Sequence, residues 1–202
     1  TVTYGATSVA NVLLTTGPVA IAGTAEFALT RQTADVDTDA NGSADLLGAT
    51  VDAVALRLTG ARVYVDGIAD LDVSGALAVA RVTPAGVGAT TRYTALKMGE
   101  VSVKVRVQPA DSFGLTGTLE IRALDLNSAA TGFARLNWTR AFDFNADGTR
   151  DLLNPGADLP TPAALPIDLV SSLQLRVVGT VSGNSTVTYG ATSVANVLLT
   201  TG

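Results

Sequence analysis

Apolar and polar residues alternate with a period of two along much of this chain. In residues 101–108 every second residue is valine and the residues between are polar. This alternation is typical of a β-strand with one face on a core. It recurs in residues 62–66, 71–82, 119–126 and 173–181. Because glycine and proline separate these runs, the pattern predicts an all-β fold, an antiparallel β-sandwich of the jelly-roll or immunoglobulin-like kind.

Two segments are ambiguous between strand and helix. The apolar spacing of residues 44–58 suits either period, and residues 163–172 are a weaker helix candidate. We therefore expect at most one or two short helices. Residues 154–166 are rich in proline and predict an ordered extended loop.

The first seventeen residues, TVTYGATSVANVLLTTG, recur letter for letter at the end of the chain. Such a match predicts a tandem array of near-identical repeats or a deliberate graft of the first strand onto the end. The segment is uncharged and rich in β-forming residues, so we expect it to be inserted into a sheet. It either docks on a neighbouring subunit by strand donation or begins its own repeat.

The duplication also sets the predicted domain organisation. Residues 1–17 form a terminal donor or linker strand, residues 18–185 form the β-sandwich domain, and residues 186–202 form the duplicate strand. Residues 179–185, with the sequence GTVSGNS, have linker chemistry and are the candidate boundary between one unit and the next.

The composition restricts the chemistry. Histidine and cysteine are absent, which removes the common general base, the Ser-His and Cys-His nucleophile pairs and zinc sites built on these residues. The net charge of −5 and the scattered arginines disfavour nucleic acid as a partner. No stretch approaches the roughly 18 apolar residues of a membrane span, and neither end has the pattern of a signal peptide. We expect a soluble mature chain that is not an enzyme.

Two loops repeat one arrangement of oxygen-bearing residues, with glycine at position six and Asp-Leu-Leu at the end. Calcium takes six to eight oxygens, and alternate positions of a tight loop can direct carboxylates and amides to one centre. Ser43 and Thr149, at position seven, would contribute backbone carbonyls. The pattern predicts calcium as the cofactor in both loops. The candidate ligands are Asp37, Asp39, Asn41, Ser43 and Asp45 in the first loop, and Asp143, Asn145, Asp147, Thr149 and Asp151 in the second.

The loops depart from one familiar calcium motif and resemble another. An EF-hand needs a bidentate glutamate at position twelve, where this chain has Gly48 and Asn154. The aspartate at position nine followed by Leu-Leu resembles the calcium loops of integrin-type FG-GAP repeats, and more loosely those of thrombospondin type 3 repeats and dockerins. The resemblance covers about eleven residues per loop and implies calcium binding in a loop that joins two strands. The wide separation of the two loops is unlike a propeller, so the resemblance extends to the loop and not to the fold.

Several residues have competing interpretations. The loops could be ordinary polar turns, which favour the same residue types. Asp35 is either an extra ligand or a solvated residue. Trp138, Phe142 and Phe144 alternate along the chain and are expected in the core, with a carbohydrate-stacking platform as the alternative. The remaining acidic residues considered as a catalytic pair are expected to be solvated: Asp66, Asp70, Asp72, Glu100, Asp111, Glu120 and Asp125.

These features predict a structural role outside the cell or at its surface. We expect a subunit or repeat of a calcium-stabilised extracellular filament, surface layer or giant adhesin, joined to copies of itself by β-strand addition or tandem linkage. The alternative is a calcium-dependent adhesion module that binds a carbohydrate or protein directly.

Overall fold

The computed structural model describes residues 1–4, 7–16, 19–65, 69–99, 101–105, 118–183 and 185–197. Within these ranges there is no α-helix, and the one helical element is a short 3₁₀ helix at Pro155–Asp158. None of the described helical structure is long and apolar enough to cross a membrane. The strands are β1 (Val2–Tyr4), β2 (Thr7–Val9), β3 (Val12–Thr16), β4 (Val19–Val36), β5 (Leu46–Val65), β6 (Ala69–Thr83), β7 (Tyr93–Met98), β8 (Val101–Val105), β9 (Thr118–Ala129), β10 (Leu175–Ser182), β11 (Ser185–Tyr189) and β12 (Thr192–Val197).

One large antiparallel sheet organises the fold. Its strand order is β10-β9-β7-β6-β5-β4-β3. β8 follows β7 along the chain and, like β7, lies between β6 and β9 and pairs with both. Two separate hairpins, β1-β2 and β11-β12, lie at the two ends of the chain. The predicted all-β antiparallel class is confirmed, and the strand-rich architecture is consistent with an all-β sandwich.

The main core lies between one face of the large sheet and the irregular segment 130–174. On β5, Ala49, Val51, Ala53 and Ala55 are buried at every second position, and β6 and β7 contribute similarly small side chains. The irregular segment supplies the largest buried side chains, which are Leu136, Trp138, Phe142, Ile167 and Leu169. Small residues on the strands leave room for these large groups, each of which contributes about 1.5–3 kcal/mol when fully buried.

The structure corrects both helix candidates. Residues 44–58 enter β5, where burial repeats with a period of two and hydrogen bonds run to β4 and β6. Residues 163–172 form no helix, because Leu165, Ile167 and Leu169 are buried at alternate positions of an extended segment. The proline-rich loop begins with the 3₁₀ helix and then continues without regular structure.

The opposite face of the large sheet, here called the outer face, is also apolar. Cross-strand pairing aligns two rows of apolar residues on it from β4 to β10. At the ends of the rows Phe27 is 72% exposed and Val177 is 60% exposed. The rows are Phe27, Leu56, Leu77, Met98, Leu124 and Val177, and Leu29, Val54, Val79, Leu96, Leu126 and Leu175.

Two aspartates predicted to be solvated are buried instead. Asp70 makes a two-point ion pair with Arg62, with both contacts at 2.8 Å. Asp125 is fully buried and is bound by Arg176, while Lys97 Nζ lies 3.7 Å from its other carboxylate oxygen. The expectation failed because each carboxylate meets a cation from another strand, which compensates for its lost hydration. Asp72 and Glu120 are partly buried, and Asp66, Glu100 and Asp111 lie outside the described residues.

The predicted linker at residues 179–185 is largely strand. β10 continues to Ser182, and only two residues separate it from β11. Gly179 lies at an irregularity in the pairing of β10 with β9. A Cβ atom there would come within 2.6 Å of the Glu120 carbonyl oxygen, so close strand contact explains this glycine.

Candidate metal centre

The first loop, residues 37–45, connects the two longest strands. β4 ends at Val36 and β5 begins at Leu46, and these two residues are paired across the hairpin. The N–H of Asp45 also donates to the Val36 carbonyl at 3.0 Å, which closes the base of the loop. The loop is therefore held at the end of a long, regular hairpin, and its geometry is fixed by the sheet below it.

Carboxylates fold the first loop around themselves. Asp37, only 1% exposed, accepts hydrogen bonds from the N–H groups of Asn41 at 3.2 Å and Gly42 at 2.8 Å. Asn41 Oδ1 accepts from the N–H of Ser43 at 2.8 Å, and Asp45 Oδ2 accepts from the N–H of Thr38 at 2.9 Å. These bonds direct side-chain oxygens toward the interior of the loop.

The second loop, residues 143–151, repeats this hydrogen-bond pattern. Asp143 accepts from the N–H groups of Asp147 at 3.1 Å and Gly148 at 2.9 Å. Asp147 Oδ1 accepts from the N–H of Thr149 at 2.8 Å, and Asp151 Oδ2 accepts from the N–H of Phe144 at 2.7 Å. Each contact has its counterpart at the same position of the first loop. The predicted similarity of the two loops in sequence is thus a similarity in conformation.

An amide–carboxylate pair is conserved in geometry between the loops but reversed in sequence. In the first loop, Asn41 Nδ2 donates to Asp39 Oδ2 at 3.0 Å. In the second, Asn145 Nδ2 donates to Asp147 Oδ2 at 3.1 Å. Positions three and five therefore carry one carboxylate and one amide in either order, and the pairing holds both side chains in place.

The backbone of both loops turns through the same left-handed positions. Position four has φ of 64° at Ala40 and 57° at Ala146, and position six has φ of 100° at Gly42 and 84° at Gly148. A side chain at position six would be strained at such φ values, so the glycine is required by the turn. At position four alanine tolerates the strain because the surrounding hydrogen bonds determine the conformation.

The two loops, far apart in sequence, are in direct contact. The N–H of Asp37 donates to the Ala141 carbonyl at 3.0 Å, two residues before the second loop begins. Arg150, at position eight of the second loop, places its Nη2 atom 2.9 Å from Asp37 Oδ2. Phe142 is fully buried and stacks on Phe144 with ring centroids 4.9 Å apart, so the core anchors the second loop beside the first.

The first loop brings three carboxylates together. One oxygen from each of Asp37, Asp39 and Asp45 lies within 4.8 Å of the others, a spacing that could hold a metal ion. Among the described residues no second group of three acidic side chains is this close, so Asp143, Asp147 and Asp151 are less tightly gathered. Carboxylate and amide oxygens are the hard ligands that calcium and magnesium prefer, so the donor set fits a hard divalent cation.

Hydrogen bonds keep two of the loop carboxylates ionised. The N–H and hydroxyl of Thr38 lower the pKa of Asp45. The hydroxyl and N–H of Thr149 likewise lower the pKa of Asp147. Because a donor that stabilises the charged form favours proton loss, both groups are ionised and able to act as cation ligands at neutral pH.

The structure also resolves the residues with competing interpretations. Asp35 Oδ1 accepts a hydrogen bond from the N–H of Gly48 at 2.7 Å and is not part of the carboxylate group. Trp138 and Phe142 are fully buried, which confirms the core interpretation over an exposed stacking platform. Sequence reasoning missed Arg150, although a single arginine at position eight, where the first loop has Ala44, distinguishes the two loops.

Comparisons of the chain with protein-family models, with curated proteins and with solved structures found no match.

Proposed function

We propose that this chain is a structural subunit or repeat of a calcium-stabilised extracellular assembly, such as a filament, surface layer or giant adhesin. Calcium would bind the first loop through Asp37, Asp39 and Asp45 and fix the junction between that loop and the second. Copies of the chain would join one another through the duplicated terminal segment.

The observation that carries the proposal is the gathering of the three carboxylates in the first loop. Like charges at this spacing repel one another, and among the described residues only Arg150 places a cationic group beside the buried Asp37. A divalent cation would relieve the repulsion and bridge residues at both ends of the loop. Calcium is favoured over magnesium because its variable coordination number suits a loop rich in oxygen ligands, whereas magnesium demands near-ideal octahedral geometry.

The duplicated segment supports the assembly role. An array that repeats every 185 residues would place one such segment at each junction, since residues 1–17 and 186–202 are identical. Strand pairing would supply the affinity of the junction. The alternative function is direct binding of a carbohydrate or protein ligand. It would be favoured if Trp138 or Phe142 were exposed beside a loop, but both rings are buried.

A calcium titration of thermal stability and particle size tests the proposal. Calcium should raise the melting temperature, with reversal by EDTA, because a ligand that binds only the folded chain stabilises it by mass action. Asp39→Asn and Asp45→Asn should abolish that response. Asp158→Asn, which alters an exposed aspartate of the 3₁₀ helix, is the matched control and should retain it.

The two parts of the proposal have separate readouts. A melting temperature that is unchanged by calcium would refute calcium stabilisation. Light scattering across the same titration measures assembly, and a particle that stays monomeric at every chain and calcium concentration would refute the self-joining subunit.

A further inference from the structure

The two copies of the duplicated segment fold into the same hairpin. In the first copy β1 pairs with β2 so that Val2 lies opposite Val9, and in the second β11 pairs with β12 so that Val187 lies opposite Val194. The residue two places after each of these second valines has a left-handed backbone, with φ of 54° at Asn11 and 57° at Asn196. The segment thus carries its own local conformation wherever it stands in the chain.

The first copy is packed against β4 and β5. Val9 is fully buried in a small apolar cluster with Ala20, Ala22 and Tyr64. The surface formed by these three residues of β4 and β5, which Val9 covers, is here called the edge groove. Arg62 Nη1 donates to the Ser8 carbonyl at 3.3 Å.

Strand pairing continues this attachment beyond the hairpin. The N–H of Gly23 donates to the Asn11 carbonyl at 3.1 Å. From there the chain enters β3, where Val12 pairs with Ala22 on β4. Apolar burial and backbone bonds therefore hold the first hairpin to the edge of the large sheet.

In the part of the chain that the structure describes, the second copy is not packed in this way. Val194, the counterpart of Val9, is 47% exposed. Val197, the counterpart of Val12, pairs with Ser185 within its own hairpin, whereas Val12 pairs with β4. The second hairpin therefore has the same strand pairing as the first, but its Val194 is exposed where Val9 of the first hairpin is buried against the edge groove.

The chain's own edge groove is out of reach of its second hairpin. The groove lies beside β3, at one end of the strand order, whereas the second hairpin follows β10, at the other end. Six strand spacings of about 4.8 Å separate these edges by roughly 29 Å. The two residues between β10 and β11 extend over only about 7 Å, so they cannot carry the hairpin across the sheet.

We propose that the hairpin β11-β12 of one chain docks in the edge groove of a second copy of this chain, with Val194 in the position that Val9 occupies in its own chain. This inference rests on the proposed self-joining function and names its contact surfaces. The partner is a copy of the chain because the groove already accepts this sequence. Arg62 of the receiving chain would donate to the carbonyl of Ser193.

The contact joins two different surfaces, the edge groove of one chain and the hairpin β11-β12 of the next. An assembly therefore keeps a groove without a docked partner at one end and an undocked hairpin at the other. Such a heterologous contact adds subunits head to tail and produces an open chain of molecules unless its rotation closes a ring. The first hairpin competes for the same groove, and its covalent attachment gives it an effective concentration on the order of millimolar. Exchange between chains is therefore slight in dilute solution and increases when the first hairpin is weakened.

Reciprocal substitutions in the two identical segments test the docking in the full chain. The N-variant, Val9→Asp with Val12→Asp, weakens the hairpin that occupies its own groove. The C-variant, Val194→Asp with Val197→Asp, places the same changes in the exposed copy. We expect the N-variant to form oligomers that grow with concentration and the C-variant to remain monomeric at the same micromolar concentrations, as measured by light scattering.

The combined variant identifies the surface responsible. It carries all four substitutions of the N-variant and the C-variant, so its groove is open but neither hairpin can fill it. We expect it to be monomeric. Oligomers of the combined variant equal in size to those of the N-variant would overturn the proposal, because they would form through another surface such as the outer face. A folded N-variant that stays monomeric would overturn it as well.

A cysteine pair tests the contact while leaving the sequence of the first hairpin unchanged. The chain has no native cysteine, so Ala22→Cys and Val194→Cys in an otherwise native chain are the sole thiols. At high protein concentration, oxidation should give a ladder of trimers and larger species only when both substitutions are present. Each single variant has one thiol per chain and can form only one disulfide, so it stops at dimers. Absence of the ladder would refute the docking. If calcium still drives assembly of that chain, the proposed function stands without this contact, whereas a calcium-independent ladder supports the docking alone.

Discussion

Arg150 of the second loop lies 2.9 Å from the buried carboxylate of Asp37 in the first loop. The ion pair links two loops that have the same internal hydrogen bonds, and it places a positive charge next to a candidate cation ligand. Arg150 therefore has two opposed effects. It stabilises the metal-free loop by compensating a buried charge, and it weakens the attraction of Asp37 for a cation.

Arg150→Gln should separate these two effects. Without calcium the variant should lose about 1–3 kcal/mol of unfolding free energy, because a buried carboxylate loses its charged hydrogen-bond donor. The stabilisation gained on adding calcium should be larger than in the native chain, because Asp37 is no longer neutralised. Denaturant unfolding with and without calcium measures both quantities.

Arg140→Gln provides the control, since Arg140 is exposed near the second loop. It should leave both quantities within about 0.5 kcal/mol of the native values. An Arg150 variant whose gain from calcium is smaller than in the native chain would show that the arginine assists cation binding.

Asn127 joins the sheet to the segment that covers it. Its Nδ2 donates to the carbonyls of Leu136 at 2.9 Å and Val170 at 3.0 Å, and its Oδ1 accepts from Trp138 Nε1 at 3.1 Å. Asn127→Ala should cost about 2–4 kcal/mol of unfolding free energy, because buried polar groups lose their partners. Denaturant unfolding measures the loss. Ser128→Ala, an exposed neighbour on the other face, should cost less than about 0.5 kcal/mol, and an equal loss in both variants would contradict the role of Asn127.

The strands were predictable from the sequence where only one face of the sheet is apolar. Residues 101–105 alternate clearly and form β8. In β5 the outer face carries Val54 and Leu56, which alternate with the buried Ala53 and Ala55, so both faces are apolar and the period of two is obscured. The ambiguity over a helix in residues 44–58 has this physical origin, and only pairing with neighbouring strands resolves it.

The candidate site was predictable in its local part and not in its tertiary part. Alternating oxygen-bearing residues with a glycine at position six determine each loop's own fold, because their hydrogen bonds are short in range. The contact between Arg150 and Asp37 depends on how the covering segment packs on the sheet. The burial of Asp70 and Asp125 was missed for the same reason, since their cationic partners are set by cross-strand pairing.

Acid should destabilise the chain in the absence of calcium. Hydrogen bonds from Arg31 lower the pKa of Asp52, and those from Thr38 lower that of Asp45. A carboxyl with a lowered pKa in the folded state binds fewer protons there than in the unfolded chain, so it stabilises the fold above its ordinary pKa of about 3.9. That contribution is lost as the pH falls through the lowered value.

Unfolding in EDTA at pH 7, 5, 4 and 3 measures this dependence. Asp52→Asn should reduce the loss between pH 5 and pH 3 by less than about 1 kcal/mol, because the Arg31 side chain is 72% exposed and the ion pair is screened by solvent. Stability that increases as the pH falls from 5 to 3 would contradict the assignment of ionised, hydrogen-bonded carboxylates.

Gly179→Ala should weaken the edge of the large sheet. The added Cβ would approach the Glu120 carbonyl oxygen to 2.6 Å, so β10 must shift away from β9, at a cost of about 1–3 kcal/mol. Thermal melting measures the effect, and Ser182→Ala at the exposed end of the same strand is the control. Equal melting temperatures for the native chain and the Gly179 variant would show that the strands separate there without cost.

The strand order determines how the large sheet would respond to a pulling force. Every neighbouring pair is antiparallel along the order β10-β9-β7-β6-β5-β4-β3, so β3 and β10 run in the same direction at opposite edges. The pairing register places the start of β3 and the end of β10 at the same level of the sheet, along the row Val12, Ala22, Arg62, Asp72, Lys104, Thr118 and Ser182. A chain stretched between these two points would therefore be loaded across the strands, and the load would peel neighbouring strands apart so that their backbone hydrogen bonds break one by one.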